Sequence, residues 1–257
     1  ILRAKINDTF KVDTNINGKI NYTIFPSPRI IVKNAKFNFE KTSKDSIKIK
    51  TLYIAISPFK LKNIENFTLT KILVSEQRIE LLPSNIKSIF KYFNLHKKKN
   101  IIFKNSQIVF LDQQGNEVNF KDFNLKDRFS DNKHELNGSV NFSNNKINLE
   151  FYNNFGFEKY LKINIPKLKQ SLDINFDPES NLENLSGELK LKFFESILLL
   201  NFKGKDKFKI SRSYLRNKFL NSKIDGEIYF KDQFNFNLNL DINQISLRKF
   251  LLSYYPV

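Results

Sequence analysis

The sequence predicts a mainly β protein built around a long antiparallel sheet, and three observations lead to that fold class. A seven-residue phrase with glycine at its third position recurs four times along the chain. Residues 234–243 alternate apolar and polar side chains without interruption, which is typical of a half-exposed strand. The 257 residues include 27 Phe but only three Ala, and strands favour Phe whereas helices favour Ala.

The recurring phrase occupies residues 16–22, 136–142, 185–191 and 224–230. In each copy apolar residues follow the glycine two positions apart, so the glycine stands at the start of a strand. Glycine at such a position marks a bulge, a bend or a close approach of two backbones. The recurrence favours a quasi-repetitive antiparallel structure over an enzyme barrel, although glycine also begins many unrelated strands.

The remaining elements follow in chain order from their periodicity. Residues 1–10 carry Leu2 and Ile6 on one face of a predicted helix, and from Val12 onward alternation predicts strands. After the first glycine, apolar alternation occurs at Ile30 and Val32, Phe37 and Phe39, Ile47 and Ile49, and Leu52, Ile54 and Ile56, and the clearest strand is residues 234–243. Turns are predicted at residues 112–116, 143–145 and 177–180, where Asn, Asp, Gly, Pro and Ser cluster.

Two further short helices are predicted between or after the strands. Ser84 begins one whose apolar face carries Ile86, Ile89, Phe90 and Phe93, and Ser246 begins another near the C-terminus. No Pro/Ser-rich linker or abrupt change in composition divides the chain. We therefore expect one continuous domain over residues 1–257, with an N-terminal region at 1–95 and further strands over 96–257. The absence of an initiating Met suggests a segment of a longer protein.

The net charge of +17 has two explanations that the sequence leaves open. Lys, Asn, Ile and Phe are all favoured by AT-rich codons, and their abundance alone accounts for a dispersed basic excess. The alternative is a selected attraction to anionic headgroups. A nucleic-acid partner is not expected, because the regular Phe/Asn alternation assigns the phenylalanines to a face that needs burial.

The sequence offers no chemistry for catalysis. The chain has no Cys, which excludes disulfides, thiolate nucleophiles and Cys-based metal sites. The two histidines, His96 and His134, are both expected on the solvated surface. We predict a non-enzymatic protein with no catalytic residues, no cofactor and no metal site.

Several N-terminal segments together resemble the start of AsmA-like bacterial envelope proteins. The resemblance covers residues 12–95 most clearly, and it is carried by residues 18–22, 25–28, 29–39, 52–61, 72–74, 79–81 and the predicted helix from Ser84. Later strand openings at Leu185-Ser186-Gly187 and Ile224-Asp225-Gly226 look similar to those of the same family.

The resemblance implies a fold and a setting. AsmA/TamB-type proteins are repeating β-groove lipid-transfer proteins, so the expected architecture is an elongated, curled antiparallel sheet forming a half-pipe groove, with two or three short helices. It also implies a periplasmic protein with an inner-membrane anchor upstream of Ile1, possible envelope protein partners, and a part in phospholipid transport and outer-membrane homeostasis.

A groove of this kind would hold phospholipid acyl chains on the apolar face of its strands. An alternating strand must cover its apolar face with something, and few helices are predicted. The candidate lining residues are Phe37, Phe39, Phe234, Phe236, Leu238, Leu240 and Ile242. The alternative for these residues is an ordinary sandwich core, and the alternative function is a structural or assembly factor for outer-membrane proteins that carries no lipid.

Overall fold

The structure is a computed structural model of the whole chain, and it describes residues 2–10, 13–25, 27–38, 47–57, 68–82, 100–111, 114–130, 132–181, 183–229 and 235–248. The chain divides into two compact units. Unit 1 comprises Ile1–Asn144, and unit 2 comprises Asn145–Val257.

Unit 1 begins with a helix, α1 (Leu2–Phe10), and continues with strands only. The strands are β1 (Asp13–Ile16), β2 (Ile20–Thr23), β3 (Arg29–Asn38), β4 (Ile47–Ile56), β5 (Leu69–Ser75), β6 (Arg78–Leu81), β7 (Asn100–Leu111), β8 (Glu117–Ser130) and β9 (Lys133–Phe142). β1 and β2 both pair with β3, and the sheet continues through β4, β5 and β7 to β8 and β9.

The core of unit 1 lies between α1 and one face of β3 to β7. Ile6 and Phe10 of α1 are fully buried and belong to one cluster with the buried residues of these strands. β3 keeps its apolar residues in this cluster despite a change of phase, because Asn34 adopts a φ of 51° between Val32 and Ala35. β4 also changes phase, between Ile49 and Leu52, where it pairs with the part of β3 that changes phase. Both apolar sets of each strand therefore face the same core.

The sheet of unit 1 is mixed, which corrects the purely antiparallel prediction. β5 and β6 each run parallel to β7. A parallel pair needs a long crossover connection, and the residues between β6 and β7 supply the required length. The break between β5 and β6 is stabilised by Gln77, whose side chain accepts a hydrogen bond from the Thr51 amide at 3.2 Å and donates one to the Thr51 carbonyl.

Unit 2 is an antiparallel meander in which every strand pairs with its neighbour in sequence. Its strands are β10 (Asn145–Asn154), β11 (Glu158–Ile165), β12 (Gln170–Phe176), β13 (Leu185–Phe193), β14 (Ser196–Gly204), β15 (Lys207–Arg216), β16 (Leu220–Tyr229) and β17 (Asn235–Ile245). A short 3-10 helix, Pro166–Leu168, connects β11 to β12. Among the described strands, β10 and β17 do not pair with each other, so this sheet is open.

The predicted fold class is confirmed: the protein is mainly β, with curled, open sheets. The helix at the N-terminus and the turn at 177–180, where the Ser180 amide donates to the Asp177 carbonyl at 2.9 Å, are also as predicted. The helix predicted from Ser84 lies outside the described residues. Of the helix predicted after Ser246, only Leu247 and Arg248 are described, and both are helical. The division into two compact units does not test the prediction of one continuous domain, which stays a prediction.

Candidate lipid-binding face

The sheet of unit 2 has one apolar face and one polar face, and its register shows this strand by strand. Residues paired across antiparallel strands point to the same side of a sheet. One register row runs from β10 to β17 through Leu149, Ile163, Leu172, Leu191, Leu198, Leu215, Ser222 and Ile242. The adjacent row on the other side consists of Asn148, Asn164, Ser171, Lys192, Ile197, Arg216, Asn221 and Gln244. We call the first side the apolar face of unit 2.

This apolar face is only half-buried. Among the described residues of unit 2, only Ile210, Ser213, Ser222 and Ile224 are buried, while most of the other aliphatic and aromatic side chains on this face are half-exposed. The described elements of unit 2 are its strands, the 3-10 helix and the two residues after Ser246. The described part of the unit therefore contains no second layer over the face, in contrast to the α1-covered core of unit 1.

Four of the predicted lining residues lie on β17, and the structure places all four on the apolar face. Phe236 pairs with Ile228, Leu238 with Gly226, Leu240 with Ile224, and Ile242 with Ser222. Phe236, Leu240 and Ile242 are 65%, 51% and 52% exposed, and Leu238 is half-buried. Among the described strands β17 pairs only with β16, so these side chains extend the apolar face to an open edge.

The other three predicted lining residues have different positions. Phe37 lies in the closed core of unit 1 and is 5% exposed, so its side chain has no free surface for a ligand in this structure. Phe39 and Phe234 lie outside the described residues. The structure therefore places the four β17 residues together on one face of unit 2, and it places Phe37 in the core of unit 1.

The repeated glycines allow close backbone approach on the apolar face. Gly187 and Gly226 occupy the same register row, in which Gly187 lies between Phe176 and Phe202, and Gly226 between Ile210 and Leu238. A Cβ on either glycine would lie 2.2 Å from a carbonyl oxygen of the adjacent strand. The missing side chain at Gly187 also lets the rings of Phe176 and Phe202 meet above it, with centroids 6.2 Å apart.

One end of the apolar face carries a row of aromatic rings that ends at a lysine. The Phe202 ring contacts the Phe208 ring at a centroid distance of 6.0 Å, which continues the contact between Phe176 and Phe202. On the other side of Phe176, the Lys159 Nζ lies 4.6 Å from the ring centroid. Burial lowers the pKa of the Lys159 ammonium, because desolvation disfavours its charged form. Lys159 is not among the lining residues predicted from the sequence.

Some charged groups of the polar face have local partners. The Tyr160 hydroxyl donates a 2.6 Å hydrogen bond to Glu150, and this bond is the main reason that the pKa of Tyr160 is raised to about 12. Lys207 forms a 2.7 Å ion pair with Glu227, and its hydrogen bond lowers the pKa of Glu227. These contacts give the polar face the character of an ordinary solvated surface.

His134 is buried, which corrects the prediction of a solvated histidine in a polar loop. It lies on β9, and its Nε2 is 2.6 Å from Oδ1 of Asp127 on β8, with 7% and 2% of the two residues exposed. The imidazole also stacks on Phe129 with centroids 3.8 Å apart. Burial is the largest influence on Asp127 and raises its pKa, whereas the hydrogen bond from His134 acts in the opposite direction. The pair joins the two strands of the β8–β9 hairpin.

Two further observations concern the described residues only. No group of three or more His, Cys, Asp or Glu side chains in the described ranges could hold a metal ion. Within those same ranges, no helix has both the length and the apolar character needed to cross a bilayer.

No protein-family model and no curated protein matches this chain. The AsmA resemblance therefore depends on the segments quoted above and stays a prediction.

Proposed function

We propose that this chain is a non-enzymatic lipid-carrying protein whose apolar face in unit 2 binds phospholipid acyl chains. The observation that carries the proposal is the register row of Leu and Ile, interrupted only at Ser222, across the strands of unit 2, on a face that no described element of this unit covers. Single exposed apolar residues are common on protein surfaces, but a contiguous apolar face of this extent is typical of an interaction site.

The energetics favour acyl chains as the occupant. Each methylene group removed from water contributes about 0.8 kcal/mol, so a long acyl chain gains on the order of 10 kcal/mol when it leaves water for an apolar surface. The half-exposed Leu, Ile and Phe side chains gain in the same way when the chain covers them. An open sheet also allows the lipid headgroup to remain hydrated.

The AsmA resemblance supplies the cellular setting of the proposal. A periplasmic location, attachment to the inner membrane and a contribution to phospholipid transport between membranes all follow from the family. In that setting the protein supports outer-membrane homeostasis by giving acyl chains a path that avoids water.

A carboxylate on the apolar face is expected to weaken lipid binding. Leu240→Asp should lower the affinity for a fluorescently labelled phospholipid by about tenfold or more, because the variant loses an apolar contact and places a charge against the acyl chain. Titration of the purified protein with the labelled lipid measures this, and mass spectrometry of co-purified phospholipid gives a second readout.

The matched control is Asn235→Asp, which adds the same charge to the polar face of the same strand. It should leave the lipid affinity within about twofold of the wild type, since Asn235 is exposed and pairs with Tyr229 on that face. Equal affinities in the wild type and Leu240→Asp, with both proteins folded, would contradict the proposal.

The open edge of β17 favours a second candidate function. A strand with one unpaired edge can accept a strand from another protein by β-augmentation, as an assembly factor for outer-membrane proteins would require. A photo-crosslinking residue at Leu240 separates the two functions in cells. Lipid adducts support lipid carriage, and adducts with protein alone support the assembly role.

A further inference from the structure

Lys159 is an exception on the apolar face of unit 2. It lies two residues before Leu161 and four before Ile163 on β11, and its register partners are Asn153 and Phe176. Among the described strand residues on this face, Lys159 is the one that carries a charge. Placing an ammonium group on an uncharged and mostly apolar surface is unfavourable unless a partner compensates for the lost water.

The described residues supply only a weak partner. The Phe176 ring contacts the ammonium at 4.6 Å, and a cation–π contact of this kind is weaker than an ion pair with a carboxylate in the same surroundings. In the described part of the chain, no carboxylate lies within ion-pair distance of Lys159. Lys207 on the polar face shows the contrast, because it pairs with Glu227 at 2.7 Å. Among the described residues, the charge of Lys159 therefore has no carboxylate counterpart.

The position of Lys159 also suits the two-part chemistry of an amphiphile. It stands near the end of its strand, where a charged group can remain partly hydrated, and the contacting rings of Phe176, Phe202 and Phe208 lead away from it along the apolar face. A ligand with an anion at one end and a hydrocarbon chain at the other matches both features at once.

We propose that Lys159 is the headgroup-binding residue of the apolar face, where it pairs with the anionic head of an amphiphile whose acyl chain lies over Phe176, Phe202 and Phe208. The inference deepens the proposed function and depends on it, since the acyl chain must first bind the face. The shared chemistry of the head is an anionic oxygen, which either the phosphate of a phospholipid or the carboxylate of a fatty acid supplies.

The test compares anionic and neutral amphiphiles of equal chain length on the full chain. Dodecyl phosphate, dodecanoate and the uncharged dodecyl maltoside are titrated below their micelle-forming concentrations by calorimetry. Lys159→Met should reduce the ratio of anionic to neutral affinity by about tenfold or more, because a charge-assisted hydrogen bond is lost. The affinity for dodecyl maltoside should stay within about twofold of the wild type. The anion with the larger loss identifies the head as phosphate or carboxylate.

The chain offers a closely matched control on the same strand. Lys162 lies on the polar face with its Nζ 4.3 Å from the Tyr160 ring centroid, so its cation–π contact resembles that of Lys159. Lys162→Met removes the same net charge and should leave the affinity ratio unchanged. Lys159→Arg keeps the charge and should keep the preference for anions, which separates a lost contact from a packing defect.

The outcomes distinguish this inference from the function on which it rests. If the wild type binds dodecyl maltoside but Lys159→Met retains the full preference for anions, the headgroup site is wrong and acyl binding stands. Equal reductions by Lys159→Met and Lys162→Met would also overturn the site, because they would indicate general attraction to a basic protein. If the wild type binds none of the amphiphiles, the proposed function fails and the headgroup site fails with it.

Discussion

His134→Ala is expected to lower the free energy of unfolding of the protein by about 3–5 kcal/mol at neutral pH. The substitution leaves the Asp127 carboxylate buried without its 2.6 Å partner and removes the ring that stacks on Phe129. An uncompensated buried charge is among the most destabilising changes that a single substitution makes. Urea unfolding followed by circular dichroism measures the loss.

The loss should also depend on pH in a defined direction. Burial already raises the pKa of Asp127, and removal of His134 raises it further because the opposing hydrogen bond is gone. A carboxyl group whose pKa is higher in the folded than in the unfolded state stabilises the fold most below its unfolded value. That contribution disappears as the pH rises through the folded value. The destabilisation should therefore be smaller at about pH 4 than at pH 7.

The double variant Asp127→Ala/His134→Ala serves as the control. It removes both polar partners, so it should be more stable at neutral pH than His134→Ala alone, since no buried charge remains. If His134→Ala has the same urea midpoint of unfolding as the wild type, the pair does not stabilise the hairpin.

Gly226→Val should lower the free energy of unfolding of unit 2. Backbone strain contributes about 1–3 kcal/mol of this loss, before any steric clash is counted. Gly226 has a φ of 139°, a conformation that a β-branched residue rarely adopts, and its Cβ would lie 2.2 Å from the Asn237 carbonyl oxygen. Because Asn237 lies on β17, relief of the clash must loosen the pairing of β16 with β17. Hydrogen exchange of the β17 amides should accelerate, and lipid binding at Leu238 and Leu240 should weaken with it.

A turn glycine provides the comparison for this variant. Gly156 has a φ of 87°, and a Cβ there would meet no atom within 4 Å. Asparagine tolerates a left-handed backbone conformation, so Gly156→Asn should change the unfolding free energy by only about 0.5 kcal/mol. Similar losses for the two variants would mean that the repeated glycine is not required for close approach of the strands.

Local alternation was enough to predict the strands and which residues share a face. Phe236, Leu238, Leu240 and Ile242 were assigned to one side of a strand, and the structure places them there. The same logic could have found Lys159, since it stands in phase with Leu161 and Ile163. Its phase alone does not distinguish it, because a lysine in so basic a chain is typical of a solvated surface residue.

Phe37 shows what alternation does not decide. Its strand has an apolar face just as β17 does, yet α1 and the neighbouring strands bury Phe37, whereas the described part of unit 2 leaves the β17 side chains half-covered or exposed. Alternation also does not predict the parallel pairing of β5 and β6 with β7, because strand direction depends on how the chain crosses over between strands.

The sequence by itself determined the mainly β class, the strand faces and the glycine positions, because these depend on the period-two geometry of neighbouring residues and on the absence of a side chain. Only the tertiary structure decided which apolar face is covered, that Asp127 and His134 meet in a buried pair, and that Lys159 lies against Phe176 without a carboxylate in the described ranges. Burial and charge pairing depend on atoms brought together from distant parts of the chain, and no local pattern specifies those neighbours.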